Sequence, residues 1–220
     1  MVFSAVYRPT ALFSLRDSNS TSSGAKSLFL PSPYAVKMAL VNQAISLGGV
    51  DFDKEPQKFW AIRDLKISYR ISGNFCVNNC FVKIQKQRDK GPFKSTVSFR
   101  EYVFLDSDLE LIFETKGMFG ESVFLKQYLC TINQFGKRGC FFQFIDFNDS
   151  PEKANVIQFD VSKIQSAGLL QEFDDFGSKV NFENVNSYTD AKTERKNRVL
   201  FLPISKIGSS KSYTHYKVVN

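Results

Sequence analysis

The chain has one histidine, His215, among its 220 residues. A single imidazole cannot build a multi-histidine metal centre, and it gives a conventional Ser-His-Asp hydrolase no support. Glycine is sparse at 12 residues, and none sits in a GxxxxGK[ST] phosphate loop or a GxGxxG turn. An HExxH zinc signature is also missing. Cysteine is limited to Cys76, Cys80, Cys130 and Cys140, spaced C-x3-C and C-x9-C with no histidine beside them. Zinc knuckles favour C-x2-C, so the expectation is buried thiols in a reducing compartment, with no metal and no cofactor. No apolar run approaches the ~20 residues that a bilayer span needs. The opening MVFSAVYRPTALFSLR has no continuous apolar stretch before Arg8 and Pro9. The expected setting is therefore cytoplasmic, without membrane contact.

What is present is apolar, aromatic and basic. Hydrophobic residues make up 43% of the chain and 23 residues are Phe, enough apolar area to exclude disorder as the main state. Lys and Arg number 29 against 22 Asp and Glu, a formal charge of +7. That charge is unevenly placed. Lys83, Lys86, Arg88, Lys90 and Lys94 against Asp89 give +4 within residues 83–94. Lys192, Arg195, Lys196, Arg198, Lys206, Lys211 and Lys217 against Glu194 give +6 within 192–217, which leaves −3 for the rest. Two basic segments on a slightly acidic body are the footprint expected for a polyanion, although a charge run taken alone is more often a solvated surface. Phe81, Phe93 and Phe99 flank the first segment, and Tyr213 and Tyr216 lie in the second. Such rings can stack on unpaired bases while Lys and Arg meet phosphates. The strand positions of Phe81 and Phe99 point instead to the core.

Local patterns give the element order. VFSAVY near the start reads as a strand, and RDSNSTSSGAKS (16–27) as a solvated loop. Ser32 can cap a helix that Pro33 opens and Gly48-Gly49 closes, with Val36, Leu40, Val41, Ala44 and Ile45 on one face. A shorter helix is expected over 54–63, with Asp53 as its cap. LKISYRI (65–71) alternates as a strand, and residues 83–95 are a polar excursion broken at Gly91-Pro92. TVSFREYVFL (96–105) and LELIFE (109–114) are strands joined by a turn, and 121–134 is a helix stopped by Gly136. Strands at 139–147 and 155–161, a loop-rich stretch, and strands at 198–204 and 212–219 complete the chain. The resulting fold is α+β: a ferredoxin-like (RRM-like) βαββαβ sheet with an inserted β-hairpin thumb and a smaller β-rich C-terminal part. The boundaries are 1–150 for the main domain, about 75–98 for the thumb within it, and 151–220 for the extension packed on it.

Three segments carry a family likeness. LFLPSPYAVKMALVNQAI (28–45) has a Pro-x-Pro followed by a Leu-rich helix. FREYVFLDSDLELIF (99–113) has Arg100, Glu101, Tyr102 and Asp106 opening a strand pair, and QFGKRGCFF (134–142) forms a turn after the second helix. In this order they resemble the Cas-five family, the RAMP-superfamily subunits of type I CRISPR Cascade effector complexes. The basic excursion falls where that family inserts its thumb. The likeness spans residues 1–145; beyond it only KIGSS (206–210) stands where the superfamily carries a glycine-rich loop.

The resemblance implies a non-catalytic subunit that binds and caps the 5′ handle of the guide crRNA within an antiviral, DNA-targeting ribonucleoprotein. Its expected partners are the guide crRNA, backbone Cas-seven-type subunits, a large Cas-eight-type subunit and, through the complex, target DNA. Arg8, Arg16, Lys26 and Lys37 would meet handle phosphates, the last near helix N-terminal amides. Lys83, Lys86, Arg88, Lys90 and Lys94 would press on the guide backbone beside the neighbouring subunit. Arg100 would contact RNA or pair with Glu110 across the hairpin. Lys137 and Arg138 would contact RNA or complement a helix dipole. Two alternatives stand beside this. One is a metal-independent endoribonuclease that processes precursor crRNA, with Tyr213, His215 and Lys217 on one strand face. The other is a generic single-stranded nucleic-acid-binding module. For His215 itself the expectation is an edge strand near the chain's end, without a catalytic role.

Overall fold

The structure is a computed structural model that describes residues 1–17, 24–87, 91–116, 120–163, 167–186 and 193–219. Strand β1 (Val2–Pro9) is followed by the short β2 (Leu15–Arg16), β3 (Gly24–Ala25) and β4 (Ser27–Leu28), which lead into helix α1 (Pro33–Ser46). Helix α2 (Pro56–Arg63) and strand β5 (Lys66–Arg70) precede two long strands, β6 (Asn74–Gln87) and β7 (Phe93–Leu105). Next come β8 (Leu109–Glu114), α3 (Glu121–Leu129) and β9 (Phe142–Asn148). The rest comprises β10 (Ile157–Gln158), β11 (Leu169–Phe176), α4 (Phe182–Val185), β12 (Arg195–Leu202), β13 (Ile204–Ser209) and β14 (Tyr213–Val218). The class is mixed α+β with mostly antiparallel sheets.

The first sheet has the order β5-β8-β1-β9, with every neighbouring pair antiparallel. Period-two alternation divides its residues. Phe3, Ala5 and Tyr7 of β1, Leu111 and Phe113 of β8, and Tyr69 of β5 point into the core and are fully buried. The helices cover that side. Ser32 caps α1 by accepting the Ala35 N–H at 3.2 Å, with Pro33 in the first turn. Tyr7 donates its hydroxyl to the Leu129 carbonyl (2.7 Å), and Tyr69 donates to the Pro31 carbonyl (2.7 Å), tying the sheet to the ends of the helical layer. Each bond satisfies a phenol that the core would otherwise strand.

The long strands β6 and β7 pair over thirteen residues each, from Phe75↔Leu105 to Gln87↔Phe93. Their sheet has the order β13-β14-β6-β7-β3, so the end of the chain builds directly onto the hairpin. Phe75, Val77, Val103 and Leu105 are buried at its base, whereas the far end projects into solvent. A third sheet, β10-β12-β11, packs β11 on α1.

Several expected elements differ. Helix α2 starts at Pro56 behind Glu55, and Asp53 is not its cap; Asp51 instead accepts the Asp53 and Lys54 N–H groups in a preceding turn. Helix α3 ends at Leu129, because residues 130–141 turn back to form a small bridge between Gln134 and Phe141. Strand β11 lies where a loop-rich stretch was expected. Its Asp174 and Asp175 are buried, and their partners are distant in sequence, so no local pattern announces a strand. His215 is not on an edge, since β14 lies between β13 and β6. Cys140 is buried as expected, but Cys80 and Cys130 are exposed and Cys76 is half-buried.

Candidate nucleic-acid interface

The short strands β2, β3 and β4 run the segment before α1 alongside β7. Phe13 exchanges backbone bonds with Val103 (3.0 and 2.8 Å), and Gly24-Ala25 pair in parallel with Phe99-Arg100. This brings four expected RNA contacts, Arg16, Lys26, Arg100 and Lys137, to one side of the molecule. Between β2, the start of α1 and the 134–141 turn lies a cleft of about 560 Å3. Leu15 and Leu28 line it together with Arg16, Lys137 and Arg195, three cations that face Asp174.

The turn that supplies Lys137 is tight. Phe135 donates to the Cys140 carbonyl at 3.2 Å, and Gly136 and Gly139 adopt φ of 70° and 95°. Positive φ is accessible to glycine without steric cost, which explains the Gly-x-x-Gly framing of Lys137 and Arg138 at the exposed tip. Both residues follow the end of α3 in the chain, and Lys137 lines the cleft together with Ser32, Tyr34 and Ala35 at the start of α1. Burial pushes the Lys137 ammonium below its ordinary pKa, and the Arg100 charge adds to the push. Neither Arg100 nor Lys137 has a carboxylate partner among the described residues. An anion bound between them would relieve both penalties.

Arg100 does not pair with Glu110, because β7 and β8 belong to different sheets. Glu110 instead accepts from Ser4 at 2.5 Å and faces Arg70 at 3.8 Å. Arg100 and Glu101 point to opposite faces of β7. Glu101 is buried, accepts the Ser27 N–H at 2.8 Å and holds exposed Lys26 at 3.7 Å.

The hairpin supplies the second cationic group. Lys86 and Lys94 stand directly opposite each other near its tip, and Lys83 lies on the other face. All three are exposed and make no ion pair among the described residues. Like charges directly across a sheet destabilise it, and a bound polyanion reverses that sign. Arg88 and Lys90 lie outside the described residues. Phe81 is 78% exposed and stacks edge-on with Phe99 at 5.4 Å, while Phe93 is 68% exposed. The core assignment of Phe81 is therefore incorrect: the hairpin carries its pair beyond the layer that would bury it.

Two expected contacts are committed elsewhere. Arg8 forms a two-pronged bond to Asp108 at 2.8 and 2.9 Å on the first sheet's open face. Lys37 is only 2% exposed. It donates to Asp175 at 2.5 Å and to the Arg63 carbonyl at 2.8 Å, over the ring of Phe176. Burial holds its pKa below the ordinary lysine value despite the carboxylate. Lys37 shares a helical face with Leu40, Val41 and Ala44, which turns it inward and away from any phosphate.

Sequence reasoning missed Arg195 and Tyr34 as a unit. The Arg195 guanidinium lies 4.3 Å from the Tyr34 ring centre and donates to Asp174 at 2.8 Å. This stacked platform forms a wall of the cleft. Arg195 sits within the basic 192–217 segment, so the charge count flagged it without giving it a location.

The described residues thus define a mixed α+β protein with a cationic cleft and a projecting cationic hairpin. No family model matches the chain. It is 35% identical over 106 residues to "CRISPR-associated protein Cas5" of Archaeoglobus fulgidus, a match that spans 46% of this chain and 46% of that protein. Over that part of its length the chain is similar to Cas5, the family its three sequence motifs resemble, and the match spans less than half of the relative. A solved structure described as a CRISPR protein from Archaeoglobus fulgidus superposes over 100% of this chain and 93% of its own, with 13% identity and a TM-score of 0.44. A superposition that loose adds nothing to the sequence match.

Among the described residues no helix is long and apolar enough to cross a membrane.

Proposed function

We infer that this chain is a non-catalytic RNA-binding subunit of a Cascade-type CRISPR effector complex. In this reading the cleft holds the 5′ handle of the guide crRNA, and the hairpin lies against the guide backbone. The observation that carries it is the pairing state of the cations. Among the described residues Arg100 and Lys137 beside the cleft, and Lys86 opposite Lys94 on the hairpin, have no carboxylate, whereas Arg8 and Lys37 have one. Similarity to Cas5 supplies the biological setting. The frame is read as ferredoxin-like: β1, α1, β5, β8, α3 and β9 run βαββαβ, and the order β5-β8-β1-β9 supports it. Backbone Cas-seven-type subunits beside the hairpin, a Cas-eight-type subunit and target DNA through the assembly are the partners this role entails.

Recognition of a single-stranded handle combines phosphate contacts, stacking and contacts to base edges. The cleft offers Lys137, with Arg100 beside it, for the first and the Tyr34–Arg195 platform for the second. The rival reading is a metal-independent endoribonuclease, with Tyr213, His215 and Lys217 alternating onto one face of β14. One experiment separates them. Purified protein is incubated with labelled CRISPR-repeat RNA without metal, and both binding and cleavage are followed. Binding without products is the expected result. Discrete products that vanish in His215→Ala would establish the nuclease, and absence of binding across the salt range would remove the RNA reading.

A further inference from the structure

A second cavity, of about 310 Å3, opens on the inner face of the hairpin sheet. Its character differs from that of the cationic cleft. Asn79 and Glu101 face each other across β6 and β7, and Thr214 and Tyr216 approach from β14. Asp17 and Glu172 also line it, so its carboxylates outnumber its single cation, Lys26 at the rim. Such a lining repels a phosphate and attracts hydrogen-bond donors.

Bond accounting separates wall from reader. Gln171 is spent, since its amide accepts the Phe29 N–H at 2.9 Å and donates to the Ser27 carbonyl at 3.1 Å. Phe29 closes the bottom against Phe75 and Tyr216, with ring centres 5.4 Å apart in each case. Glu101 is 6% exposed and uses Oε2 for the Ser27 N–H. Among the described residues its Oε1 has only the rim lysine, at 3.7 Å. The Asn79 side-chain amide makes no hydrogen bond among the described residues. One carboxylate oxygen and one amide are thus left to face an occupant.

The next cross-strand pair on the same face is Phe81↔Phe99, about 6.8 Å along the strands. These are the exposed, edge-stacked rings, and Lys83 follows them on that face. An acceptor-rich pocket, an aromatic step and a lysine follow one another within the reach of a single nucleotide. The three parts correspond to a base edge, a base face and a phosphate.

We propose that this pocket reads one nucleobase of the bound RNA strand, and that Glu101 with Asn79 selects a base bearing an exocyclic amino group over uracil. The proposal rests on the RNA-binding reading above and adds to it a second, sequence-reading subsite. Glu101 can only accept, so an amino group such as cytosine N4–H2 satisfies it. Uracil presents a carbonyl oxygen at that position and meets the carboxylate with repulsion. Asn79 both donates and accepts, and so completes the edge with any amino-bearing base. Phosphates remain outside, on Lys26 and Lys83.

The test uses the full chain with two labelled octamers, oligo(C) and oligo(U), which are equal in length and charge. Fluorescence anisotropy at fixed salt is expected to show the wild type binding oligo(C) at least tenfold more tightly. Glu101→Gln keeps the size of the side chain and its Ser27 bond, and should bring the ratio to within about twofold. Asn79→Ala removes a half-buried amide with no internal partner and should lower the ratio in the same direction, which decides the matter if Glu101→Gln fails to fold by circular dichroism. A wild type that binds both octamers equally, or an unchanged ratio in both variants, overturns the pocket while leaving RNA binding standing. A wild type that binds neither overturns the RNA reading itself.

Discussion

On the open face of the first sheet Arg8, Lys66 and Arg70 are each paired, whereas the cleft-and-hairpin region pairs Lys26 and Arg195 but leaves Lys83, Lys86, Lys94, Arg100 and Lys137 without a carboxylate among the described residues. On the open face, Arg8 meets Asp108 at 2.8 Å, Lys66 meets Glu114 at 2.6 Å, and Arg70 meets Glu152 at 2.5 Å with Glu110 beyond. Alternation places Arg8, Lys66, Arg70, Glu110 and Glu114 on one side of β1, β5 and β8, where the cations find carboxylates on the next strand, in the turn before it or, for Glu152, in the chain beyond β9. Around the cleft and along the hairpin the same alternation sets Lys86 against Lys94, and the fold brings Arg100 near Lys137. A charge closed by a neighbour is spent on the fold. One held beside its like is available to an anion, and repulsion adds to what the anion gains. Net charge does not separate these cases; pairing does.

The comparison puts Lys37 firmly among the spent cations, and its loss should have the largest effect. Lys37→Met removes one partner of a buried pair, a change that costs about 3–5 kcal/mol, here toward the lower end because Arg198 stays 3.4 Å from Asp175. Denaturant unfolding measures it. The pH dependence has a definite sign. Burial lowers the folded-state pKa of Lys37, so between that value and the ordinary 10.5 the unfolded chain binds more protons. Stability contributed by this group therefore rises with pH across that window and is lost as pH falls through the lowered value. The variant should lack the rise. A variant as stable as the wild type would mean that Lys37 is not committed, and the division between the two regions would fail.

Charge reversal beside the cleft comes next. Arg100→Glu with Lys137→Glu should weaken RNA binding by about a hundredfold, as expected for two charge-assisted contacts. The slope of log affinity against log salt should fall by about 1.4, at ~0.7 per phosphate contact on a single strand. Filter binding between low and moderate salt gives both numbers. Third is the hairpin, where Lys83, Lys86 and Lys94 changed together to Ala should lower the slope by about 2 and leave the fold intact. A sharper variant is Lys86→Glu, which places opposite charges across from Lys94. It should stabilise the hairpin by about 0.2–1 kcal/mol while weakening RNA binding. Binding and stability moving in the same direction would show that the hairpin charges serve the fold.

Much of the frame was legible because its signals are local. Ser32 and Pro33 announce α1, clean alternation announces β5, and strand-forming runs on either side of the Asp106-Ser107-Asp108 turn announce β7 and β8. The misreadings share one physical cause, which is partners distant in sequence. Asp174 and Asp175 made β11 look like a loop because the cations that neutralise them, Lys37, Arg195 and Arg198, come from α1 and β12. Lys37 was read as a phosphate contact for the same reason. The signal was nonetheless present: a lysine on the apolar face of a helix requires a buried acid somewhere, and two acids in DDF were waiting without a role. The Lys137 turn was legible as a turn, but its position against Arg100 depends on how β7 runs beside the segment before α1. No periodicity encodes that contact. Phe81 was misplaced because alternation reports which face a side chain takes, not whether anything covers that face.

The smallest expected effect is the one on which charge counting and pairing disagree. Arg8 is exposed, basic and on the central strand of the first sheet, and counting alone makes it a phosphate contact. Its guanidinium, however, already has a fork-shaped bond to Asp108, which hydrogen bonding and the carboxylate charge together reinforce by raising its pKa. An incoming phosphate would have to break that bond before it gained one. Arg8→Ala should therefore leave RNA affinity within twofold and the salt slope unchanged, while Asp108→Ala frees the guanidinium and should tighten non-specific RNA binding slightly at low salt. Anisotropy titrations of the two variants against wild type measure both. A loss of affinity in Arg8→Ala that matches a cleft substitution would extend the RNA path onto the open sheet, and pairing would then no longer mark the boundary of the interface.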